Sequence, residues 1–245
     1  MSQEGLDKGT ITQSSIIPLE ATKDHIVEMM ILVQSQVNKT VSAVKRFDKD
    51  TVEEVLSSEK LVNALDLKID KEIERIMALY KPLAIDLRFI LSGHKINTFL
   101  ERIGDNAQGI CQYLLKMDQT PSAEYLEKLQ VYKAFDIVVK MIDIVIDAYE
   151  SEDTKLASQV LRLDRELDAI NDSSMPVTVE AITSLSDAVG IQNFLYFQSM
   201  VRKMERMGDL LTNIAEEIIF SVDAKVLRHK RKKTEKYINK KIDNE

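Results

Sequence analysis

Leu100-Glu101-Arg102-Ile103-Gly104-Asp105 returns almost unchanged as Met204-Glu205-Arg206-Met207-Gly208-Asp209, within a chain of 245 residues. An internal repeat at this distance points to two similar halves. Each copy places a carboxylate at i and another at i+4, which on an α-helix stack on one face, one turn apart. The similarity spreads outward from the two phrases. Sliding the chain against itself by about 105 residues aligns Ala43 with Ala148, Asp48 with Asp153, Val55 with Val160, Leu56 with Leu161 and Glu59 with Asp164.

The segments between the phrases carry helical periodicity. A first helix is expected over residues 19–47, with Ile26, Met30, Val33, Val37, Val41 and Val44 on its buried stripe. A second, over 51–80, carries Val55, Val62, Leu65, Ile69, Ile73 and Ile76, and a third runs over 83–116. Beyond a linker around Asp118 to Ser122, a fourth should reach Tyr149, a fifth should occupy 154–173 and a sixth should begin near Ser186. Pro18, Pro82, Pro121 and Pro176 are each placed at a helix start or a connection. Pro176 and the β-branched residues around it weaken the helical pattern between Met175 and Asp187. Short connections make consecutive helices antiparallel, so each half is an up-down-up bundle. The expected fold is all-α: two pseudo-symmetric three-helix bundles, over residues 19–117 and 122–224, with extensions over 1–18 and 225–245.

Composition agrees. Hydrophobic residues make up 44% and charged residues 30%, while 7 Gly, 4 Pro and no Trp leave little material for turns or sheets. The net charge of -7 argues against nucleic acid as the main partner. A single cysteine, Cys111, cannot form an internal disulfide, and no apolar run is long enough to span a bilayer. These features read as a cytoplasmic protein. The basic segment Arg228-His229-Lys230-Arg231-Lys232-Lys233 is either an electrostatic foot for an anionic surface or a solvated helix end.

Candidate chemistry lies in the carboxylate lines. Glu205, Asp209, Asn213 and Glu216 share roughly a quarter of one helix's circumference. The preceding helix of each half has its own line: Glu59, Asn63, Asp66 and Asp70 in the first, Asp164, Asp168 and Asn171 in the second. Two such lines could converge on a shared site for hard or borderline cations. They could equally be solvated, salt-bridged faces. Gly104 and Gly208 stand inside expected helices, where Gly costs up to about 1 kcal/mol against Ala, so close backbone approach is expected there, with a ligand or without. In the first copy Gly109 and Gln112 stand where the second has Asn213 and Glu216, so the first line is one carboxylate poorer. His94 reads as a partly buried structural residue and Cys111 as a small core residue. No Glu-x-x-His pair, phosphate loop, Ser-His-Asp set or paired-cysteine motif is present.

The run Lys81-Pro82-Leu83-Ala84-Ile85-Asp86-Leu87-Arg88, followed by Lys95-Ile96 and by the Glu101 phrase, closely resembles the PhoU family of phosphate-signalling regulators. So does Glu205-Arg206-Met207-Gly208-Asp209 continuing into Asn213-Ile214-Ala215-Glu216, and the resemblance covers residues 19–221. It implies a non-enzymatic cytoplasmic negative regulator. The implied partners are the ATPase of a Pst-type ABC phosphate transporter and a sensor histidine kinase, with peripheral membrane association and a homodimer as further expectations. It also implies multinuclear metal clusters, iron first, with manganese, magnesium or zinc as alternatives. Carried across by position, the metal residues are Glu101 with Asp105, Glu205 with Asp209, Asp164 with Asp168, and Glu59 with Asn63, to which the second line adds Glu216. Asn63, Gly109 and Gln112 depart from the family pattern, and Gly190 and Gln192 replace the Asp86 and Arg88 pair in the second half. Asp86 and Arg88 themselves suit a structural ion pair or helix start as well as a ligand role.

Overall fold

A computed structural model describes residues 18–117 and 122–227 of the chain. Among the described residues there are seven helices and no strand: α1 (Leu19–Arg46), α2 (Lys49–Tyr80), α3 (Ile85–Leu115), α4 (Ala123–Lys128), α5 (Val131–Ser151), α6 (Thr154–Ser184) and α7 (Ala188–Asp223). Helices α1, α2 and α3 pack on one another, as do α5, α6 and α7, giving two three-helix bundles. The apolar stripes explain this. Of the residues expected to face inward on α1 and α2, all but the half-buried Val41 are buried.

The duplication is visible in the backbone. Phe47 ends α1 and Glu152 ends α5, both in the left-handed conformation (φ 50° and 56°). In each turn the next residue's N–H returns to a carbonyl of the finished helix, Asp48 to Ala43 at 3.3 Å and Asp153 to Ala148 at 3.1 Å. That next residue is an aspartate whose side chain caps the following helix. Asp48 accepts from the Asp50 N–H, and Asp153 accepts from those of Lys155 and Leu156.

The bundles meet along two seams, α3 against α7 and α1 against α5. On the first, Lys95 donates to Glu217 at 3.2 Å, and the Tyr113 and Tyr196 rings stack at 5.4 Å. On the second, Lys23 pairs with Glu152 at 2.8 Å and Gln34 donates to Asp143 at 2.6 Å. The rising number on one helix against the falling number on the other marks both seams as antiparallel.

Two expectations about the second half are corrected. The fifth expected helix does not stop near Ser173. It continues through Pro176 to Ser184 as α6. An interior proline loses one backbone bond and costs about 3 kcal/mol. Here Ser174, Thr178 and Ala181 prolong the buried face set by Leu167 and Ile170, and Pro176 itself points to solvent. The Ser173 and Ser174 hydroxyls also bond back to the Ile170 and Asn171 carbonyls at 2.8 and 2.7 Å. The expected fourth helix is divided, because Gln130 turns left-handed (φ 51°) between α4 and α5. That turn lets Leu126 and Leu129 bury, with Tyr125 set edge-on to Phe194 at 5.0 Å. Pro121 and the basic segment from Arg228 lie outside the described residues.

Candidate functional site

In the first bundle α2 and α3 run antiparallel and bring their carboxylate lines together. Glu59 is only 3% exposed, and its Oε2 accepts from Gln36 Nε2 of α1 at 2.7 Å. Its Oε1 is buried with no hydrogen-bond partner. Burial raises its pKa, the Gln36 hydrogen bond opposes that rise, and Asp105 adds to it. Glu101 is raised as well, first by burial, then by Asp105, Asp66 and Glu59. Four carboxylates therefore feel one another across the α2 and α3 interface. One turn further along, Asn97 donates to Asp66 at 2.7 Å and Asp70 at 3.1 Å, and His94 meets Asp70 at 3.1 Å. His94 is exposed rather than partly buried, because its ring lies over this polar edge of the interface instead of the apolar stripe. Asn63 is exposed on α2.

The second bundle repeats the arrangement with α6 and α7. Asp164 takes the place of Glu59, and its pKa is pushed up to about 7 by burial, then by Asp168, Asp209 and Glu205. Thr212 Oγ1 lies toward it and opposes the rise, but it is buried without a completed hydrogen bond. Glu205 is raised by burial and by Asp209 and Asp168, against the pull of Arg206 and Arg202. Glu216, expected to extend this line, stands further down α7 beside Lys95, Phe220 and Leu227.

The repeated glycines serve these acids. A Cβ on Gly104 would stand 2.9 Å from Gln36 Oε1 and 3.3 Å from Glu59 Oε2. One on Gly208 would stand 2.5 Å from Leu167 Cδ2 and 3.2 Å from Asp164 Oδ1. Each glycine thus clears the space that the neighbouring helix fills with its buried acid. Gly109 has a different task, since a Cβ there would strike Lys203 Nζ and stand 2.6 Å from its Cε. Lys203 crosses from α7 over Gly109, 5.9 Å above the Tyr113 ring, and is within electrostatic reach of Asp105.

The sequence reading placed Asp66 on the first line but missed Gln36, Thr212 and Lys203 as participants. Gln36 had a signal: a polar residue on the apolar face between Val33 and Val37, where an unpaired amide would be costly. Lys203 had none, since only the packing of one bundle on the other brings it to Asp105. Cys111 is buried as expected, 3.7 Å from Thr40 Oγ1, and burial pushes its thiol up to about 11.

The donor set suits a hard cation: mutually repelling carboxylates and an orphaned buried oxygen on Glu59. Among the described residues, however, no three His, Cys, Asp or Glu side chains are gathered as a metal-holding group.

Comparison with known proteins bears on both halves. A family model described as the PhoU domain matches residues 26–114 and again 131–218. The chain is 30% identical over 221 residues to a phosphate-specific transport system accessory protein PhoU homolog of Pseudomonas aeruginosa, covering 89% of each chain. It is 28% identical over 214 residues to the Escherichia coli protein of that description, covering 86% of each. A crystal structure of PhoU from Pseudomonas aeruginosa superimposes with a TM-score of 0.78 at 30% identity, covering 84% of this chain and 98% of the other. A phosphate transport system regulatory protein from Streptococcus pneumoniae gives 0.73 at 22% identity, covering 88% and 99%, and shares the fold.

Proposed function

The chain belongs to the PhoU family, and on that premise we propose that it is an accessory regulator of phosphate transport. One observation carries this reading. Both halves match the PhoU domain, and most of the chain aligns with relatives named as accessory proteins of a phosphate-specific transport system. The finer reading is an adaptor that represses the phosphate-starvation response, held between the ATPase of a Pst-type ABC transporter and a sensor histidine kinase. Among the described residues no helix is long and apolar enough to cross a membrane. Leu61 and Leu67 on α2 and Leu83, Ile85 and Leu91 around the start of α3 are exposed and available for contacts with these partners.

The action is by binding rather than catalysis. The buried thiol of Cys111 is a poor nucleophile. Metal ions belong to the same reading: Asp164, Asp168, Glu205 and Asp209 would hold a cation in the second bundle, and Glu59, Glu101 and Asp105 one in the first. Iron, manganese, magnesium or zinc bound there would supply positive charge that offsets the carboxylate repulsion.

Deletion of the gene tests the regulatory role. Phosphate-starvation genes should then be expressed even at high phosphate, and the tagged protein should co-purify with the transporter ATPase. Unchanged repression in the deletion strain overturns the proposal.

A further inference from the structure

Where the two bundles meet, α1, α3, α5 and α7 together line a cavity of about 210 Å³, open to solvent past Ile85 and Val222, whose walls include Lys23, Arg88, Ser92, Tyr149, Phe89 and Ile218. Three polar atoms in this wall are buried without a hydrogen-bond partner: Arg88 Nε, Ser92 Oγ and Tyr149 Oη. Ser92 is 1% and Tyr149 7% exposed, so bulk water does not satisfy them. An unmade hydrogen bond at a buried group costs about 1–3 kcal/mol, and such groups are few in native proteins. Three in one cavity, contributed by both bundles, mark a place built for something else to bind.

All three can donate. Arg88 carries a permanent charge. Among the described residues no carboxylate pairs with it. The acid in the wall, Glu152, is already tied to Lys23 at 2.8 Å. Helix α3 begins beside Arg88, and its N-cap residue, Ala84, offers no side-chain hydrogen bond. The first turn of this 31-residue helix contributes Ile85 and Arg88 to the wall, and Asp86 in the same turn offsets part of the helix's positive end. Donors arriving from three residues suit a head group with several oxygens better than the two of a carboxylate. The rest of the wall is apolar, from Ile85, Phe89, Ile96, Ile218 and Val222. At about 210 Å³ the space is several times the roughly 30 Å³ share of one water, so a bare oxyanion would leave most of that apolar wall uncovered.

We propose that this cavity binds a small phosphomonoester, its phosphate oxygens on Arg88, Ser92 and Tyr149 and its apolar body against Phe89, Ile96 and Ile218. Because the walls come from both bundles, the bound molecule ties them together. The inference stands apart from the regulatory reading, since it is tested on the purified chain whatever the deletion strain does.

Titration calorimetry on the full chain with phenyl phosphate, inorganic phosphate and benzyl alcohol decides it. Phenyl phosphate should saturate at one site per chain, inorganic phosphate should bind at least tenfold more weakly, and benzyl alcohol should not compete. Arg88→Gln and Tyr149→Phe should each weaken phenyl phosphate by roughly tenfold or more. Tyr149→Phe is the stringent variant, because deleting an unbonded buried hydroxyl should leave the melting temperature at or above that of the unaltered chain. Absence of saturable phenyl phosphate binding overturns the proposal, as does undiminished binding by the Tyr149→Phe and Arg88→Gln chains. Equal binding of inorganic phosphate overturns the assigned apolar body, and equal competition by benzyl alcohol overturns the assigned anionic head.

Discussion

Glu59 in the first bundle and Asp164 in the second hold equivalent places, each set across a repeated glycine, yet their neighbours treat them differently. Glu59 has the longer side chain, is the more deeply buried, and receives an amide hydrogen bond from Gln36. At the position matching Gln36 the second half has Met141, which can donate nothing, and Thr212 does not complete a hydrogen bond in its stead. Burial comes first in lifting the Asp164 pKa to about 7, Asp168, Asp209 and Glu205 add to the rise, and no amide opposes it as Gln36 does at Glu59. Cations reach both clusters by different routes: Lys203 leans over Gly109 toward Asp105 from the other bundle, while Arg206 and Arg202 act on Glu205 from its own helix. Duplication has kept the backbone and the acid, while the means of compensating that acid have diverged. The second cluster is left without the amide donor that Gln36 gives the first, although a count of carboxylates alone, once Asp66 is included and Glu216 set aside, is the same for both.

The largest expected effect is on bound metal. Replacing Glu205 and Asp209 together by alanine should remove most of the iron or manganese that the purified protein carries, whereas the same change at Glu101 and Asp105 should remove less. Elemental analysis of the two variants measures this. Equal losses would break the comparison at its root, and no metal in the unaltered protein would return both lines to the solvated-face reading.

A smaller effect is expected from the glycines. Gly208→Ala drives a methyl into Leu167 and Asp164, and Gly104→Ala drives one against Gln36 and Glu59. Overpacking costs typically about 1–3 kcal/mol, set against up to about 1 kcal/mol of helix propensity gained. Both should lower stability in denaturant unfolding, and Gly104→Ala should also lower Glu59's preference for the ionised form by loosening its hydrogen bond to Gln36. A gain in stability from either would show that the space is not needed by the buried acid.

The smallest effect isolates the acids themselves. The folded pKa of Asp164, about 7, lies above its ordinary value of 3.8, so between those values the folded chain holds a proton that the unfolded chain has lost. Stability contributed by this group therefore falls as pH rises from about 4 to about 7, and the penalty is complete above that. Asp164→Asn should raise stability at pH 8 by an amount on the order of 1 kcal/mol, about 2–4 °C in melting temperature for a chain of this size. The gain should shrink toward pH 4. Glu59→Gln should gain less, because Gln36 already supports the charged form there. A reversed order of the two variants would show that depth of burial outweighs the missing donor.

Much of this was legible in the sequence, and where it was not the reasons are physical. The apolar stripes of α1 and α2, the Asp48 and Asp153 positions that became caps, and the two Glu-x-x-x-Asp lines could all be read from residues close along the chain. The length of α6 could have been read too. Sliding α2 (Lys49–Tyr80) by about 105 residues predicts a partner running to near residue 185, and α6 ends at Ser184. Local propensity at Pro176 argued the other way and lost, because a continuous buried face outweighs one missing backbone bond.

The sequence by itself determined the helices, their division into two like bundles, and the helix faces on which the acids stand, since these follow from periodicities of three to four residues and from the repeat. Only the tertiary structure decided which acid is compensated and which is not. Gln36 reaches Glu59 from another helix, Lys203 reaches Asp105 from another bundle, and Arg88, Ser92 and Tyr149 share a cavity only because α3 and α5 lie side by side with α1 and α7. Electrostatic and hydrogen-bond effects act over a few ångströms of space regardless of distance along the chain, so they depend on packing that no local pattern encodes.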